Sequence, residues 1–177
     1  AAVGQNVISA TPLEMAMVGA ALANEGRLMA PLLIKDVKYV TEGPEKEQGW
    51  FSFKSGSSEM YSQVCRPGTA REILDMMAGV LDTGTGHSLK KIYRDNGRYR
   101  AAYMLPEDRE NVLVGKTGTA ETGKGKADHS WFVAVAPVAH PQYSVAVVVE
   151  HGGLGARVAG PIAVEVMLAA LNREQHK

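Results

Sequence analysis

The stretch Val112-Leu113-Val114-Gly115-Lys116-Thr117-Gly118-Thr119-Ala120, followed by His129-Ser130-Trp131-Phe132-Val133-Ala134-Val135-Ala136-Pro137, decides the fold. An apolar lead-in runs into a small-residue strand, a Gly/Lys loop spans Thr122 to Lys126, and the β-rich runs Trp131–Ala136 and Tyr143–Val149 follow, separated by Pro137 and Pro141. Runs of this kind broken by prolines read as antiparallel strands with short connections. After Gly152-Gly153-Leu154-Gly155, Ile162, Val166, Leu168, Ala169 and Leu171 give a helix from about Gly160 to Asn172. Three strands and a packed helix predict an α/β (α+β) fold, an antiparallel sheet flanked by helices.

Working towards the front of the chain, Thr11-Pro12-Leu13-Glu14 has the form of a capping box with proline at the first helical position. Leu13, Met15, Ala16, Met17, Val18, Ala20, Ala21 and Leu22 make the following helix apolar nearly all round, which predicts a buried helix, and Gly26 is its natural stop. Between Arg27 and Gly49 the short runs Leu32–Ile34 and Val37–Val40 suggest a strand or two and a turn. A second capping box, Thr69-Ala70-Arg71-Glu72, opens a helix that runs to about Asp82 and stops in Thr83-Gly84-Thr85-Gly86. From His87 to Asn111 the chain is rich in charge and reads as a solvated excursion.

Composition narrows the function classes. The 177 residues carry 19 Lys+Arg against 19 Asp+Glu, and this neutrality argues against a nucleic-acid or membrane-surface binder. The single Cys65 makes no internal disulfide, and no Cys/His cluster has metal-ligand spacing. No window reaches the ~18 apolar residues of a transmembrane helix, the best being interrupted by Glu14, Glu150 and Glu165. Ala1 to Gln5 lacks an initiator Met and a signal-peptide pattern, so the start is expected to be a cut within a longer protein.

Lys116-Thr117-Gly118 carries the chemistry. Lysine on a strand edge supplies a fixed charge, and Thr117 and Thr119 supply adjustable hydroxyls. Gly118 removes a side chain where a ligand backbone approaches. Together they describe a dock for an anionic peptide, against the alternative of a surface lysine at a strand turn. Around it, Glu121 either lines a groove or is a strand-end charge. His129 either touches the groove or is a structural hydrogen-bonding histidine. His87 and His151 flank glycine-rich turns and are expected in solvent. Cys65 beside Arg66 is expected to be a bystander thiol, and Trp131 to pack in the core.

With these flanks the chain resembles the transpeptidase domain of penicillin-binding proteins, a family that shares its fold with serine β-lactamases and whose signatures are S-x-x-K, S-D-N and K-T-G. Gly4-Gln5 with Thr11-Pro12-Leu13, the Thr83–Gly86 turn, and the Tyr143–Gly153 strand with its closing helix are similar to the family in order, and within it to class B members of the elongation or mycobacterial type. The resemblance implies that residues 1–177 are the C-terminal part of such a domain. Lys116 would then hold the electrostatic field and assist proton transfer as a catalytic residue. The Thr117 and Thr119 hydroxyls would bind a substrate carboxylate, and the Thr119 N–H would be one of two oxyanion donors, each worth ~3 kcal/mol in comparable sites.

The family's nucleophile and its lysine are not readable here. Ser88-Leu89-Lys90-Lys91 is the only S-x-x-K and lies in the charged stretch, and no Ser-x-Asn or Ser-x-Asp exists, so the nucleophile is expected before Ala1, in the same polypeptide or a separate chain. The implied activity is D,D-transpeptidation of peptidoglycan stem peptides through a serine acyl-enzyme, with β-lactams as acylating ligands and neither cofactor nor metal. The implied location is the outer face of the bacterial cytoplasmic membrane, held by an anchor outside this chain. A carboxypeptidase, a β-lactamase, or a β-lactam sensor that does not turn over would use the same dock.

Overall fold

The computed structural model describes residues 8–33, 37–40, 48–51, 58–94, 113–123 and 125–174. Its elements are α1 (Pro12–Ala23), β1 (Arg27–Met29), β2 (Val37–Val40), β3 (Gln48–Phe51), β4 (Met60–Gln63), α2 (Pro67–Asp82), a 3-10 turn (His87–Leu89), α3 (Lys90–Arg94), β5 (Val114–Ala120), β6 (His129–Ala136), β7 (Tyr143–Val149) and α4 (Ala159–Glu174).

The sheet has the order β5-β6-β7, all antiparallel, with Lys116 opposite Val133, Gly118 opposite Trp131 and Ala120 opposite His129. Because side chains alternate across a strand, Ser130, Phe132, Ala134 and Ala136 share one face. There Phe132, Ala134 and Ala136 join Ala159, Ala163, Val164, Met167 and Leu168 of α4, with Leu81, Leu89 and Leu113, in the main buried core. The opposite face carries α1 and α2, where Met77, Val114 and Val135 form a second, smaller core. The α1 backbone comes close to the sheet at Gly19, where a Cβ would stand 3.2 Å from a Val133 methyl and nearer still to the Ser144 hydroxyl. The result is a sheet between two helical layers, as the pattern from Val114 onward predicts.

The first capping box forms as expected: Glu14 N–H donates to Thr11 Oγ1 at 3.2 Å, and the Glu14 carboxylate accepts from Thr11 N–H at 2.7 Å. The Thr11 N–H, together with the Thr11 hydroxyl that also donates to the carboxylate at 2.9 Å, holds the Glu14 carboxyl below its ordinary range. The second does not form. Arg66 is the N-cap of α2 and makes no side-chain cap bond, because Pro67, preset for the first helical position, starts the helix early and leaves Thr69 inside its first turn.

Three further expectations are corrected. In α1 only Gly19 and Ala21 are buried, while Leu13 and Val18 are exposed, so one side packs on β6 and β7 and another stands open. The charged stretch begins as helix, with Leu89 buried in the core and Lys90 buried in an ion pair with Asp82. Of the run Leu32–Ile34, Leu32 and Leu33 are exposed coil. The sequence reading also missed β4, which pairs with β1 through Arg27 opposite Gln63, and it gave β2 no partner, whereas β3 completes a hairpin with it. Gly4-Gln5, Ile34, residues 95–112 and Lys124 lie outside the described residues. No described helix is long and apolar enough to cross a membrane.

Candidate functional site

A cleft of about 810 Å³ opens between the α1/α2 side of the sheet and the two helices. Its floor is β5 and β6, and its walls are Met15, Val18 and Leu22 from α1 and Ile73, Met76 and Val80 from α2. Six of the residues weighed in sequence line it: Lys116, Thr117, Gly118, Thr119, Glu121 and His129. Strand β5 brings the first four into line, because among the described residues it pairs with β6 alone and leaves its other edge free.

The polar groups lie along β5, with Lys116 and Gly118 alternating onto the α1/α2 side and Thr117 and Thr119 onto the other. Lys116 is exposed, and its Nζ donates to the Thr117 carbonyl at 2.6 Å, which folds the cation over the strand edge. The Thr117 hydroxyl lies 2.7 Å from that of Thr85, in the turn after α2. Gly118 sits where a Cβ would stand 3.0 Å from Trp131 Cβ. From the other side Gly155 presses in so closely that a Cβ on it would lie 3.0 Å from Gly118 N and much nearer its oxygen. The missing side chain of Gly155 therefore lets the Gly152–Gly155 loop pass under the lysine-bearing strand.

That loop is pinned by a buried hydroxyl. Ser130 Oγ donates to the Leu154 carbonyl at 3.1 Å and accepts the Ala159 N–H, first residue of α4, at 3.0 Å. It satisfies an orphan donor of the helix start from a distant strand, and no local sequence signal gives it away.

His129 lines the cleft and is also hydrogen-bonded, so both meanings weighed for it coexist; its ring centroid is 4.8 Å from that of His151. Glu121 is exposed at the cleft margin. Trp131, expected in the core, is half-buried on the cleft floor because it alternates onto the open face. Ser88 is exposed, and neither it nor half-buried Cys65 lines the cleft. His87 is exposed, as expected, with its Nδ1 2.6 Å from the Asp82 carbonyl. His151 is likewise exposed, with Nδ1 2.9 Å from the Ala127 carbonyl.

Among the described cleft residues the hydroxyls are Ser9, Thr117 and Thr119, and Lys116 is the only cation. No three His, Cys, Asp or Glu side chains among the described residues come together to hold a metal ion. The arrangement offers an extended ligand a free strand edge, a positive charge and two hydroxyls, the elements of strand addition with recognition of an anion.

The family model for the penicillin binding protein transpeptidase domain matches residues 1–168. The peptidoglycan D,D-transpeptidase PbpA of Mycolicibacterium smegmatis is 28% identical over 177 residues, an alignment covering 96% of this chain and 31% of the relative. The chain thus spans about a third of the length of that relative. The D,D-transpeptidase domain of a peptidoglycan glycosyltransferase from Eggerthella lenta superposes with a TM-score of 0.63 at 32% identity, over 91% of this chain and 32% of that one. Penicillin-binding protein A of M. tuberculosis, as a ceftriaxone acyl-enzyme, gives 0.68 at 28%, over 95% and 34%. A sheet whose open edge bears Lys-Thr-Gly, matched in sequence along nearly its whole length, establishes that the chain belongs to the penicillin-binding protein transpeptidase domain family.

Proposed function

We propose that residues 1–177 are the C-terminal part of a peptidoglycan D,D-transpeptidase and supply its substrate-docking strand. The supporting observation is the free edge of β5, which presents Lys116, Thr117 and Thr119 to a cleft large enough for an extended peptide. In the reaction a serine attacks the D-Ala–D-Ala carbonyl and expels the terminal D-Ala, and an amine of a second stem peptide then takes the acyl group. Lys116 supplies the field that favours an anionic ligand and assists proton transfer. The Thr117 and Thr119 hydroxyls hold the carboxylate. Thr119 lies two residues beyond Thr117 and, by strand alternation, projects its N–H to the same edge as the carbonyl that Lys116 bonds. That edge position suits an oxyanion donor.

The serine and its lysine come from outside residues 1–177, in the same polypeptide or a separate chain, a reading that the partial coverage of the relatives supports. The protein works on stem peptides and β-lactams at the outer face of the cytoplasmic membrane. Labelling with a fluorescent penicillin tests this. The protein with its upstream residues is expected to be acylated once, and its Lys116→Ala variant at least ~100-fold more slowly, as for loss of an electrostatic group aimed at developing charge. The 177-residue chain alone is expected to remain unlabelled. Absence of labelling in the longer protein would overturn the functional reading, and stoichiometric labelling mapped to a residue of this chain would overturn the placement of the nucleophile.

A further inference from the structure

We infer that Thr85 is a positioning residue that sets the direction of the Thr117 hydroxyl and so makes the site selective for ligands bearing a carboxylate. This rests on the proposed function and adds a residue to it from a different part of the chain.

The geometry is local and fixed. Thr85 lies 32 positions before Thr117, yet their hydroxyl oxygens are 2.7 Å apart, so one must donate to the other. The turn that carries Thr85 has little freedom. Thr83 N–H and Gly84 N–H both donate to the Gly79 carbonyl, at 3.1 and 3.0 Å, and Gly86 N–H donates to the Val80 carbonyl at 2.9 Å. At Gly84 a Cβ would lie 2.8 Å from Val80 Cα, and at Gly86 2.9 Å from a Leu81 methyl, so the glycines permit a turn wound tightly onto the end of α2. The Thr85 hydroxyl is thereby held against β5 by backbone bonds.

A hydroxyl has one proton and two lone pairs. If Thr117 donates to Thr85, it meets an approaching carboxylate with lone pairs and repels it. If Thr85 donates to Thr117, the Thr117 proton is left for the ligand, and the two bonds polarise each other along the chain Thr85 O–H to Thr117 O–H to carboxylate. An anion in the dock selects the second arrangement. Thr85 need not touch the ligand: as the donor to Thr117 it turns the Thr117 proton outward and strengthens the bond that proton makes to the carboxylate.

The test uses the protein with its upstream residues and compares acylation by benzylpenicillin with acylation by benzylpenicillin methyl ester, which lacks the negative charge. Thr85→Val keeps the branched shape and removes the donor. It is expected to slow acylation by benzylpenicillin about tenfold, the size of one hydrogen bond to a charged group. Acylation by the ester is expected to change less than about twofold, and Thr85→Ser to restore the wild-type preference. Equal slowing with both ligands, or no change with either, would overturn the assignment while leaving the proposed function intact. A wild-type protein acylated by neither ligand would overturn both. Should Thr85→Val fold poorly by thermal melting, Thr85→Ala and the serine rescue read the same acid-to-ester ratio.

Discussion

The backbone N–H of His151 donates to Nδ1 of His129 at 3.0 Å. Nδ1 is therefore an acceptor, and the proton of the neutral imidazole sits on Nε2, which no described residue engages. His151 reaches this position with a left-handed φ of 54°, uncommon for a residue with a side chain. His129→Asn, whose amide oxygen replaces Nδ1 as acceptor, is expected to melt close to wild type. His129→Phe is expected to lose about 1 kcal/mol, with water serving the exposed N–H in part. Nitrogen-15 spectra showing the proton on Nδ1 would contradict the assigned tautomer.

Gly155 admits no side chain, since a Cβ would come within 2.4 Å of the Trp131 carbonyl and 2.5 Å of that of Gly118. Gly155→Ala is expected to cost about 1–3 kcal/mol by overpacking and to slow penicillin acylation by displacing β5. Gly68, in the first turn of α2, meets nothing within 4 Å. Gly68→Ala is therefore the matched control, expected to be neutral or to gain up to about 1 kcal/mol. Urea unfolding of the two variants checks the contrast.

The Ser144 hydroxyl is buried without a hydrogen-bond partner among the described residues, directly beneath Gly19. Ser144→Ala is expected to stabilise the protein by about 1 kcal/mol, because a desolvated polar atom is removed from a packed contact. Gly19→Ala is expected to destabilise by about 1–3 kcal/mol, and by less in the Ser144→Ala background, where the atom it meets is gone. A double-mutant cycle measured by denaturant unfolding decides this; strict additivity would exclude the contact.

Glu14 gives a pH signature. Its carboxyl is held below the ordinary 4.5 by the backbone N–H and hydroxyl of Thr11, so the folded state favours the charged form. The stabilisation is present above the unfolded value and is lost as pH falls through the lower, folded one. Melting curves from neutral pH down to about pH 3 are expected to show a constant advantage of wild type over Glu14→Gln that shrinks only in the acid range, below about 4.5. A difference that grows on acidification would reverse the sign.

The cleft walls predict the behaviour of the chain by itself. Val18 and Met76 line the cleft at 50% and 66% exposure, and Ile8 stands beside them, so apolar side chains stand open along its walls. The isolated 177-residue chain is expected to bind an apolar fluorescent dye and to melt without a sharp transition, whereas the protein with its upstream residues should do neither. A cooperative, dye-free transition of the isolated chain would count against this.

The sheet and its Lys-Thr-Gly strand were legible because their signals are local: the β-rich runs Trp131–Ala136 and Tyr143–Val149 broken by prolines, and the Lys-Thr-Gly spacing itself. Thr11 and Glu14 were legible for the same reason, a cap closed within four residues. What stayed hidden depends on distant partners. The burial of Lys90 requires Asp82 across a turn, the pairing of β1 requires Gln63, and the contact of Thr85 with Thr117 exists only once α2 ends against β5. The second capping box misled because Pro67 supplied a stronger start, which moves the N-cap three residues earlier, from Thr69 to Arg66. Trp131 shows the limit of residue type: a large aromatic reads as core until alternation is known, and alternation places it on the open face.

The bond from Lys116 Nζ to the carbonyl of Thr117 has a consequence for solubility. An unpaired strand edge is a template on which another copy of the chain can extend the sheet, and a charged lysine on such an edge is one of the ways proteins prevent that. Folded across its own backbone, Lys116 occupies an acceptor that an incoming strand would need, and it sets a cation where two identical edges would meet. On the proposed function, a guest that brings its own negative charge would draw the lysine away and take the edge, while a second copy of β5 would bring another lysine and be repelled. The residue proposed to receive the ligand would thereby also guard the edge against self-association.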